Sequence, residues 1–393
     1  MVVGSGIATL VIAAIASAFM AWSIGAGSSG STPFAPAVGA NAITTLRAGL
    51  LVGLIGFAGA VLQGANVSEA VGRELIGGVT LSPVAATIAL VIAGGLVAIG
   101  VFAGYPIATA FTVTGAVVGT GLAMGGDPAW GKYLQIGTLW VLVPIVGGTA
   151  AYVLGRILTD RLVPARVAVP GLAAIVWAIV VNMEFELLGP AGEGRSTVGA
   201  IAASIEGGIA IATVATLVLA IGAGAIVRWR IHGDPVATNR EFLLVLGALV
   251  AFSAGGTQVG LAIGPLLPLL DPYGIPIVAV LVGGGLGLLI GSWTGAPRMI
   301  KALSQDYSSL DPDLSIAALI PSFAIAQVSV FFGIPVSFNE IIVSAIVGAG
   351  FAGTGGAVSR GKAINTVGAW LGSLVLSLIV SFGIYTAVAT LLL

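Results

Sequence analysis

The chain has 393 residues, of which 58% are apolar and only 7% are charged, and its formal net charge at pH 7 is −1. This composition excludes a soluble globular protein, in which about 25% of residues are charged, and the near-zero charge gives no indication of nucleic-acid binding. The chain has no cysteine, which excludes disulfides and thiolate metal sites, and its single histidine, His232, has no partner histidine. Neither a cofactor nor an enzyme activity is therefore predicted.

Apolar runs of about 20 residues recur along the chain, and this is the length that crosses a hydrocarbon core of about 30 Å. The runs are continuously apolar rather than alternating, which predicts helices and not a membrane β-barrel. No basic region precedes the first run, so it is predicted to be a membrane helix rather than a cleaved signal peptide. The sequence thus predicts an all-α polytopic membrane protein with about twelve transmembrane helices. The predicted spans lie at 4–25, 46–64, 83–103, 106–124, 134–155, 167–188, 198–227, 241–264, 275–292, 314–332, 335–353 and 363–392.

Basic residues are concentrated in four of the loops between these spans. They are Arg156, Arg161 and Arg166 in one loop, Arg228, Arg230 and Arg240 in the next, Arg298 and Lys301 in a third, and Arg360 and Lys362 in a fourth. Twelve alternating spans put all four loops on one side, which the positive-inside rule identifies as cytoplasmic. Both termini are then predicted to face outward from the plasma membrane.

The sequence contains an internal repeat that relates its first part to its last. The segment "GYPIATAFTVTGAVVGTG" (104–121) aligns without gaps to "GIPVSFNEIIVSAIVGAG" (333–350), and "AWSIG" (21–25) matches "AFSAG" (251–255) at nearly the same offset. Each copy therefore carries a glycine-rich break and, further along the chain, a break of the form G-x-P. We predict a first repeat at 1–158, connecting helices at 159–234 and a second repeat at 235–393.

Seven predicted spans separate a residue from its copy, and this odd number turns one copy upside down relative to the other. Inverted-topology repeats with broken or re-entrant helices at the centre are typical of secondary transporters, which bind their substrate where the breaks meet. A passive channel is the alternative of a different class. An enzyme is not favoured, because the spans contain too few titratable groups.

The residue types at the breaks indicate an anion site. Each break exposes N–H groups at the start of a helix, where the helix dipole is positive, and hydroxyl groups add further donors. The candidate substrate-binding residues are Ser28, Ser29, Ser31, Thr32, Thr109, Thr112, Thr257, Gln258, Ser337 and Asn339. For any one hydroxyl the alternative is a packing role, since small polar residues also let membrane helices approach each other.

Glu340 is a carboxylate within a predicted span, and such a group is costly unless it faces a cavity or is protonated. We predict that it takes up and releases a proton and so couples transport to a proton gradient. The alternative is local, since Ser337 and Glu340 have the spacing of a capping box. Glu206 is a weaker candidate within another span.

Three segments, "GSSGSTPFAPAVGANAITTLRAGLL", "AFSAGGTQVGLAIGPLL" and "PVSFNEIIVSAIVGAG", resemble the inorganic phosphate transporter (PiT) family, and the resemblance covers nearly the whole chain. It implies inverted repeats, outward termini, a homodimer and cation-coupled uptake of inorganic phosphate. The substrate is therefore expected to be phosphate, with sulfate as the alternative.

The family's motifs are altered in this chain. Where the family has G-A-N-D, the chain has Gly25-Ala26-Gly27-Ser28 and Gly255-Gly256-Thr257-Gln258. Both family aspartates, which are implicated in sodium binding, are missing. Glu340 stands where the family has histidine in its P-V-S-T-T-H motif. These changes favour H⁺ over Na⁺ as the coupling ion, and they resemble the branch that includes bacterial sulfate permeases.

Overall fold

In the computed structural model the described residues are 2–160, 163–185, 195–205, 208–308, 310–353 and 358–392. Within them the chain forms seventeen α-helices and four two-residue β-strands. Two antiparallel pairs account for the strands: β1 (Ile76–Gly77) with β2 (Asp127–Pro128), and β3 (Glu184–Phe185) with β4 (Arg195–Ser196). The predicted fold class, an all-α polytopic membrane protein, is confirmed.

The helices fall into three groups along the chain. The first group is α1 (Val2–Ile24), α2 (Ala35–Gly39), α3 (Thr45–Gln63), α4 (Ala65–Arg73), α5 (Pro83–Ala103), α6 (Thr109–Ala123) and α7 (Trp130–Thr159). The middle group is α8 (Ala165–Asn182), α9 (Thr197–Ser204) and α10 (Gly208–Gly233). The last group is α11 (Pro235–Ile263), α12 (Leu267–Leu270), α13 (Ile277–Thr294), α14 (Ala296–Gln305), α15 (Pro312–Phe331), α16 (Phe338–Ala352) and α17 (Arg360–Leu392).

Ten of the described helices are long and apolar enough to cross a membrane, so the predicted number of twelve is not confirmed. The predicted spans at 106–124 and 335–353 are wrong as full crossings, because α6 and α16 have only 15 residues each. A helix of that length is about 22 Å long and does not reach across a core of about 30 Å. Each follows a glycine with positive φ, Gly104 at 73° and Gly333 at 60°, which turns the chain out of the preceding helix.

The order of elements in the first group recurs in the last. α6 begins at Thr109 and α16 begins at Phe338, and these two residues are equivalent positions of the sequence repeat. Helix contacts recur as well, since α6 packs on α17 and α16 packs on α7. Likewise α3 packs on α11 and α13 packs on α1. Each half is therefore completed by helices of the other half.

The two short helices start beside each other and run to opposite ends of the molecule. Asn339, in the first turn of α16, donates from Nδ2 to the carbonyl oxygen of Ile107, just before α6. Near its C-terminus α6 lies against β1, where a Cβ on Gly121 would meet Ile76. Near its own C-terminus α16 lies beside Ser308, at the other end.

We call the end that holds Ser308, the loop after α2 and the start of α11 the first end. The second end holds the sheet of β1 and β2 and the ion pair between Arg73 and Asp271, whose N···O distance is 2.8 Å. The starts of α6 and α16 lie between these two ends, and the candidate site is there.

Candidate functional site

All the candidate residues that the structure describes lie in the interior of the protein. The ten predicted substrate-binding residues are between 0 and 3% exposed, and Glu340 is 1% exposed. Glu206 lies outside the described residues. Burial of this many polar side chains among apolar helices is costly unless each finds a partner, so their partners show what each one does.

The first predicted break begins with a helical turn and not with extended backbone. Gly25–Ser29 continues α1 as one π-helical turn, and the chain then turns toward α2. Gly25 has no room for a side chain, because a Cβ there would overlap the carbonyl of Leu288 in α13. Ser31 and Thr32 donate their hydroxyl hydrogens to the carbonyl oxygen of Ser28, at 3.1 and 3.0 Å. These two hydroxyls therefore stabilise the turn.

The second predicted break, at 255–265, is wrong over most of its length, because α11 is continuous to Ile263. Its glycines serve close helix contact, and a Cβ on Gly255 would overlap the carbonyl of Gly56 in α3. The hydroxyl of Thr257 donates to the carbonyl of Ser253 in its own helix, at 3.0 Å. The chain leaves the α-helix only after Ile263, at a 3₁₀ turn that contains Pro265.

Gln258 connects the segments at the centre. Its Oε1 accepts hydrogen bonds from Thr109 Oγ1 at 2.6 Å and from Ser28 Oγ at 3.2 Å. Its Nε2 donates to the carbonyl oxygen of Val336 at 2.9 Å. One amide thus joins the π-helical turn, the start of α6 and the extended segment before α16 to α11.

Asn339 makes the corresponding contacts from the other half. Its Nδ2 donates to the carbonyl oxygen of Gly27 at 3.0 Å and to that of Ile107 at 2.7 Å. Ile107 and Val336 are equivalent positions of the sequence repeat. Each of these carbonyls, which no helix satisfies, therefore accepts from a side-chain amide.

Two tryptophans that the sequence analysis did not identify satisfy the neighbouring carbonyls. Trp370 in α17 donates from Nε1 to the carbonyl of Pro106 at 2.8 Å, and Trp140 in α7 donates to that of Pro335 at 3.1 Å. The ring of Trp140 also stacks on that of Phe111, with centroids 3.8 Å apart. The spacing of the two tryptophans nearly equals the offset of the repeat, so extending the repeat comparison beyond the breaks would have identified them.

Four buried side-chain atoms of the candidate residues have no hydrogen-bond partner: Ser29 Oγ, Ser337 Oγ, Asn339 Oδ1 and Glu340 Oε2. They belong to the π-helical turn and to the start of α16, two segments that are in contact. Two are hydroxyl donors and two are carbonyl or carboxyl oxygens. A polar ligand bound between these segments would need to offer both acceptors and a proton to pair with such groups.

The predicted capping box is not formed. Ser337 is the N-cap residue of α16, but its side chain makes no cap hydrogen bond. The equivalent N-cap of α6, Ala108, makes none either. The first N–H groups of both short helices thus lack a side-chain partner, and these groups give a helix N-terminus its affinity for anions.

Thr112 lies apart from this cluster. Its hydroxyl donates to the carbonyl of Ala108 at 2.9 Å and to Ser373 Oγ at 3.1 Å, which places it at the contact between α6 and α17. Within the described residues there is no group of three or more His, Cys, Asp or Glu side chains that could hold a metal ion.

The site combines two features that are typical of secondary transporters. Two short helices start at the centre after extended segments, and a polar cluster lies among apolar helices. Residues 24–381 match the sequence profile described as the phosphate transporter family. The chain belongs to this family, and it is a transporter-family protein rather than an enzyme. The resemblance found in the sequence is confirmed.

Several curated relatives are similar over most of their length. A putative phosphate permease of Thermococcus kodakarensis is 27% identical, with 91% of this chain and 90% of the relative covered. The chloroplastic inorganic phosphate transporter 2-1 of Arabidopsis thaliana is 26% identical, with 90% of this chain and 68% of the relative covered. A solved structure described as the sodium-dependent phosphate transporter has a TM-score of 0.83 at 22% identity, covering 98% of this chain and 100% of that one. Its likeness establishes the shared fold.

Proposed function

We propose that the protein is a secondary active transporter of inorganic phosphate that binds the anion between the π-helical turn and the start of α16. The observation that carries the proposal is the set of four unpartnered polar atoms on Ser29, Ser337, Asn339 and Glu340. Buried polar groups ordinarily find partners, so a set of orphans beside two helix N-termini favours an absent polar ligand. Family membership supports phosphate as that ligand.

The mixture of donors and acceptors favours phosphate over sulfate. Sulfate carries no proton at pH 7 and needs only donors, whereas phosphate keeps at least one proton and needs an acceptor. The hydroxyls of Ser29 and Ser337 can donate to the anion, and Asn339 Oδ1 can accept its proton. Sulfate remains the alternative substrate, because this site lacks the family's aspartates.

We further propose that transport is coupled to protons through Glu340. A buried carboxyl without a partner is costly when ionised, so a proton that arrives with the substrate would stabilise this side chain. The solved relative is described as sodium-dependent, and this makes sodium the coupling ion to test against. By the resemblance, Ser28 or Ser29, depending on a one-residue gap, and Gln258 stand at the positions of the family's aspartates and offer neutral oxygen atoms.

The remaining features of the proposal concern the whole protein. We propose that the two halves form inverted repeats that alternate in exposing the site, as the opposite directions of α6 and α16 suggest. We also propose that the protein resides in the plasma membrane as a homodimer, with the first end in the cytoplasm and both termini outside. A passive anion channel is the alternative that lacks coupling.

Uptake of labelled phosphate into vesicles that contain the purified protein tests the substrate and the coupling together. We expect phosphate to accumulate when the outside is acidic, with no requirement for sodium, and unlabelled sulfate to compete weakly. Glu340→Gln keeps the shape of the side chain but cannot exchange a proton, so it should abolish accumulation driven by the pH gradient. Glu241→Gln, at an exposed glutamate of α11, is the matched control.

Three results would contradict the proposal. Accumulation that requires a sodium gradient would establish sodium coupling. Undiminished pH-driven uptake by Glu340→Gln would remove the role assigned to this residue. Equilibration of phosphate without accumulation under either gradient would favour the channel.

A further inference from the structure

A cavity of about 630 Å³ opens at the first end of the molecule. It lies between the loop that joins α2 to α3, the first turns of α3, the start of α11 and the end of α14. We call it the basic cavity. Its polar lining consists of Asn41, Thr44, Thr45, Arg47, Arg240 and Gln305. None of the candidate transport-site residues lines it, so it is a separate site.

The charge of the basic cavity is positive. Arg47 and Arg240 line it, and no carboxylate does. Arg240 Nε donates to the carbonyl oxygen of Ala42 at 3.1 Å, which holds this side chain over the loop. Within the described residues, neither arginine forms an ion pair.

The two arginines differ in their surroundings. Arg240 also borders a neighbouring cavity of about 400 Å³, which Asp311 and Asp313 line. Asp311 Oδ1 accepts a hydrogen bond from the backbone N–H of Leu314 and so caps α15. Arg47 lines the basic cavity but not the neighbouring one. Of the two arginines, it is therefore the one with fewer acidic side chains near it.

The N-terminus of α3 adds further positive potential. Its N-cap residue, Thr44, makes no side-chain cap hydrogen bond, and α3 continues for 19 residues. Thr44 and Thr45 both line the basic cavity. Open backbone N–H groups, a helix dipole and two guanidinium groups together are suited to the oxygens of a phosphate group.

One wall of the basic cavity is apolar and continues into the membrane. Leu50, Leu51 and Leu244 form this wall. Further along α3, on the same spanning helix, Leu54 is 48% exposed, comparable to the 51% of Leu50. A free phosphate ion would leave the apolar wall uncovered, whereas an acyl chain could lie along it.

We propose that the basic cavity binds an anionic membrane phospholipid, with its phosphate group between Arg47, Arg240 and the start of α3. Its acyl chain lies along Leu50 and Leu54. The bound lipid restrains the loop at 40–44, which is continuous through α2 with the π-helical turn of the transport site.

The test measures binding and so does not depend on the transport proposal. The midpoint of thermal unfolding of the full-length protein in detergent is followed while phosphatidylglycerol, phosphatidylcholine or inorganic phosphate is added. We expect phosphatidylglycerol to raise the midpoint, and phosphatidylcholine and inorganic phosphate to leave it unchanged. Arg47→Gln should weaken its apparent affinity about fivefold, the contribution of one arginine near an anionic lipid surface. Arg47→Lys should keep most of it.

The matched control is Arg298→Gln, because Arg298 is an exposed arginine of α14 at the same end that does not line the cavity. It should bind phosphatidylglycerol as the parent protein does. An equal loss of affinity in this control would mean that the lipid binds through diffuse surface charge, and it would overturn the proposal.

Equal stabilisation by phosphatidylcholine would also overturn the proposal. Arg47-dependent stabilisation by inorganic phosphate alone would identify a free anion as the ligand instead of a lipid. If Arg47→Gln does not fold, Arg240→Gln provides the same comparison.

Discussion

Gln258 is the residue on which the central contacts depend most. Its amide accepts from Thr109 and Ser28 and donates to the carbonyl of Val336. Leucine has a similar volume but no polar atoms, so Gln258→Leu would leave these partners buried without a hydrogen bond. Each such loss costs about 1–3 kcal/mol in a protein interior, and interhelical bonds in membranes average about 0.6 kcal/mol.

Three bonds at the membrane average give about 2 kcal/mol, so we expect Gln258→Leu to destabilise the protein by about this amount and to abolish phosphate uptake. The matched control is Thr257→Val, one residue earlier, because the hydroxyl of Thr257 bonds only within its own helix. The unfolding midpoint and vesicle uptake measure the two effects. Equal loss of uptake in both variants would mean that the contacts of Gln258 have no special role.

The residue types in the sequence were sufficient to identify the candidate residues. They did not show which of these residues stabilise their own segment and which contact other segments. The polar breaks predicted an interior lined with donors, and all ten side chains are buried. Only the structure shows that Ser31, Thr32 and Thr257 donate to backbone carbonyls three or four residues earlier in the chain. A hydroxyl can bond locally or to a distant partner, and the choice depends on which helix lies opposite.

At the scale of the elements, glycines set the contact between α6 and α17. A Cβ on Gly119 would overlap the carbonyl of Leu378 and the hydroxyl of Ser381. Gly119→Ala must therefore push α17 away from α6, and overpacking of this kind costs about 1–3 kcal/mol. Gly95 in α5 is the matched control, because nothing lies within 4 Å of a Cβ placed there.

We expect Gly119→Ala to lower the unfolding midpoint and Gly95→Ala to leave it unchanged or raise it, since alanine is the better helix former by about 1 kcal/mol. Uptake should fall only in Gly119→Ala, because α6 carries Thr109 into the site. An unchanged midpoint in Gly119→Ala would show that α17 can shift without cost.

The same ambiguity of glycine explains why most of the second predicted break was wrong. Glycine-rich sequences mark both interrupted helices and close helix contacts. At Gly25 the chain changes to a π-helical turn, whereas at Gly255 the α-helix continues, and a neighbouring helix fills the space beside each of these glycines. Both glycines serve as close-contact positions, so a glycine-rich sequence alone could not distinguish the two cases. The G-x-P breaks were predictable from glycine and proline together. Proline alone would not have been enough, because α7, α8 and α15 continue through Pro144, Pro170 and Pro321.

At the scale of the whole molecule, the two ends differ in charge. Among the described residues the basic ones of the second end are Arg73, Lys132 and Arg195, while the other basic residues lie at the first end. Hydrogen bonding to Asp271 raises the pKa of Arg73 above its usual range, so this arginine stays charged in its ion pair. The positive-inside rule then predicts that the first end faces the cytoplasm.

This orientation can be measured directly, because the natural chain has no cysteine and any introduced cysteine is unique. His232 is exposed at the first end, and Tyr273 is 51% exposed at the second end. In intact cells a membrane-impermeant maleimide should label Tyr273→Cys, and it should label His232→Cys only after the membrane is opened. Uptake by both variants serves as the control for correct folding. The reverse labelling pattern would show that the excess of basic residues does not orient this protein, whereas labelling of both sites in intact cells would indicate two orientations in one membrane.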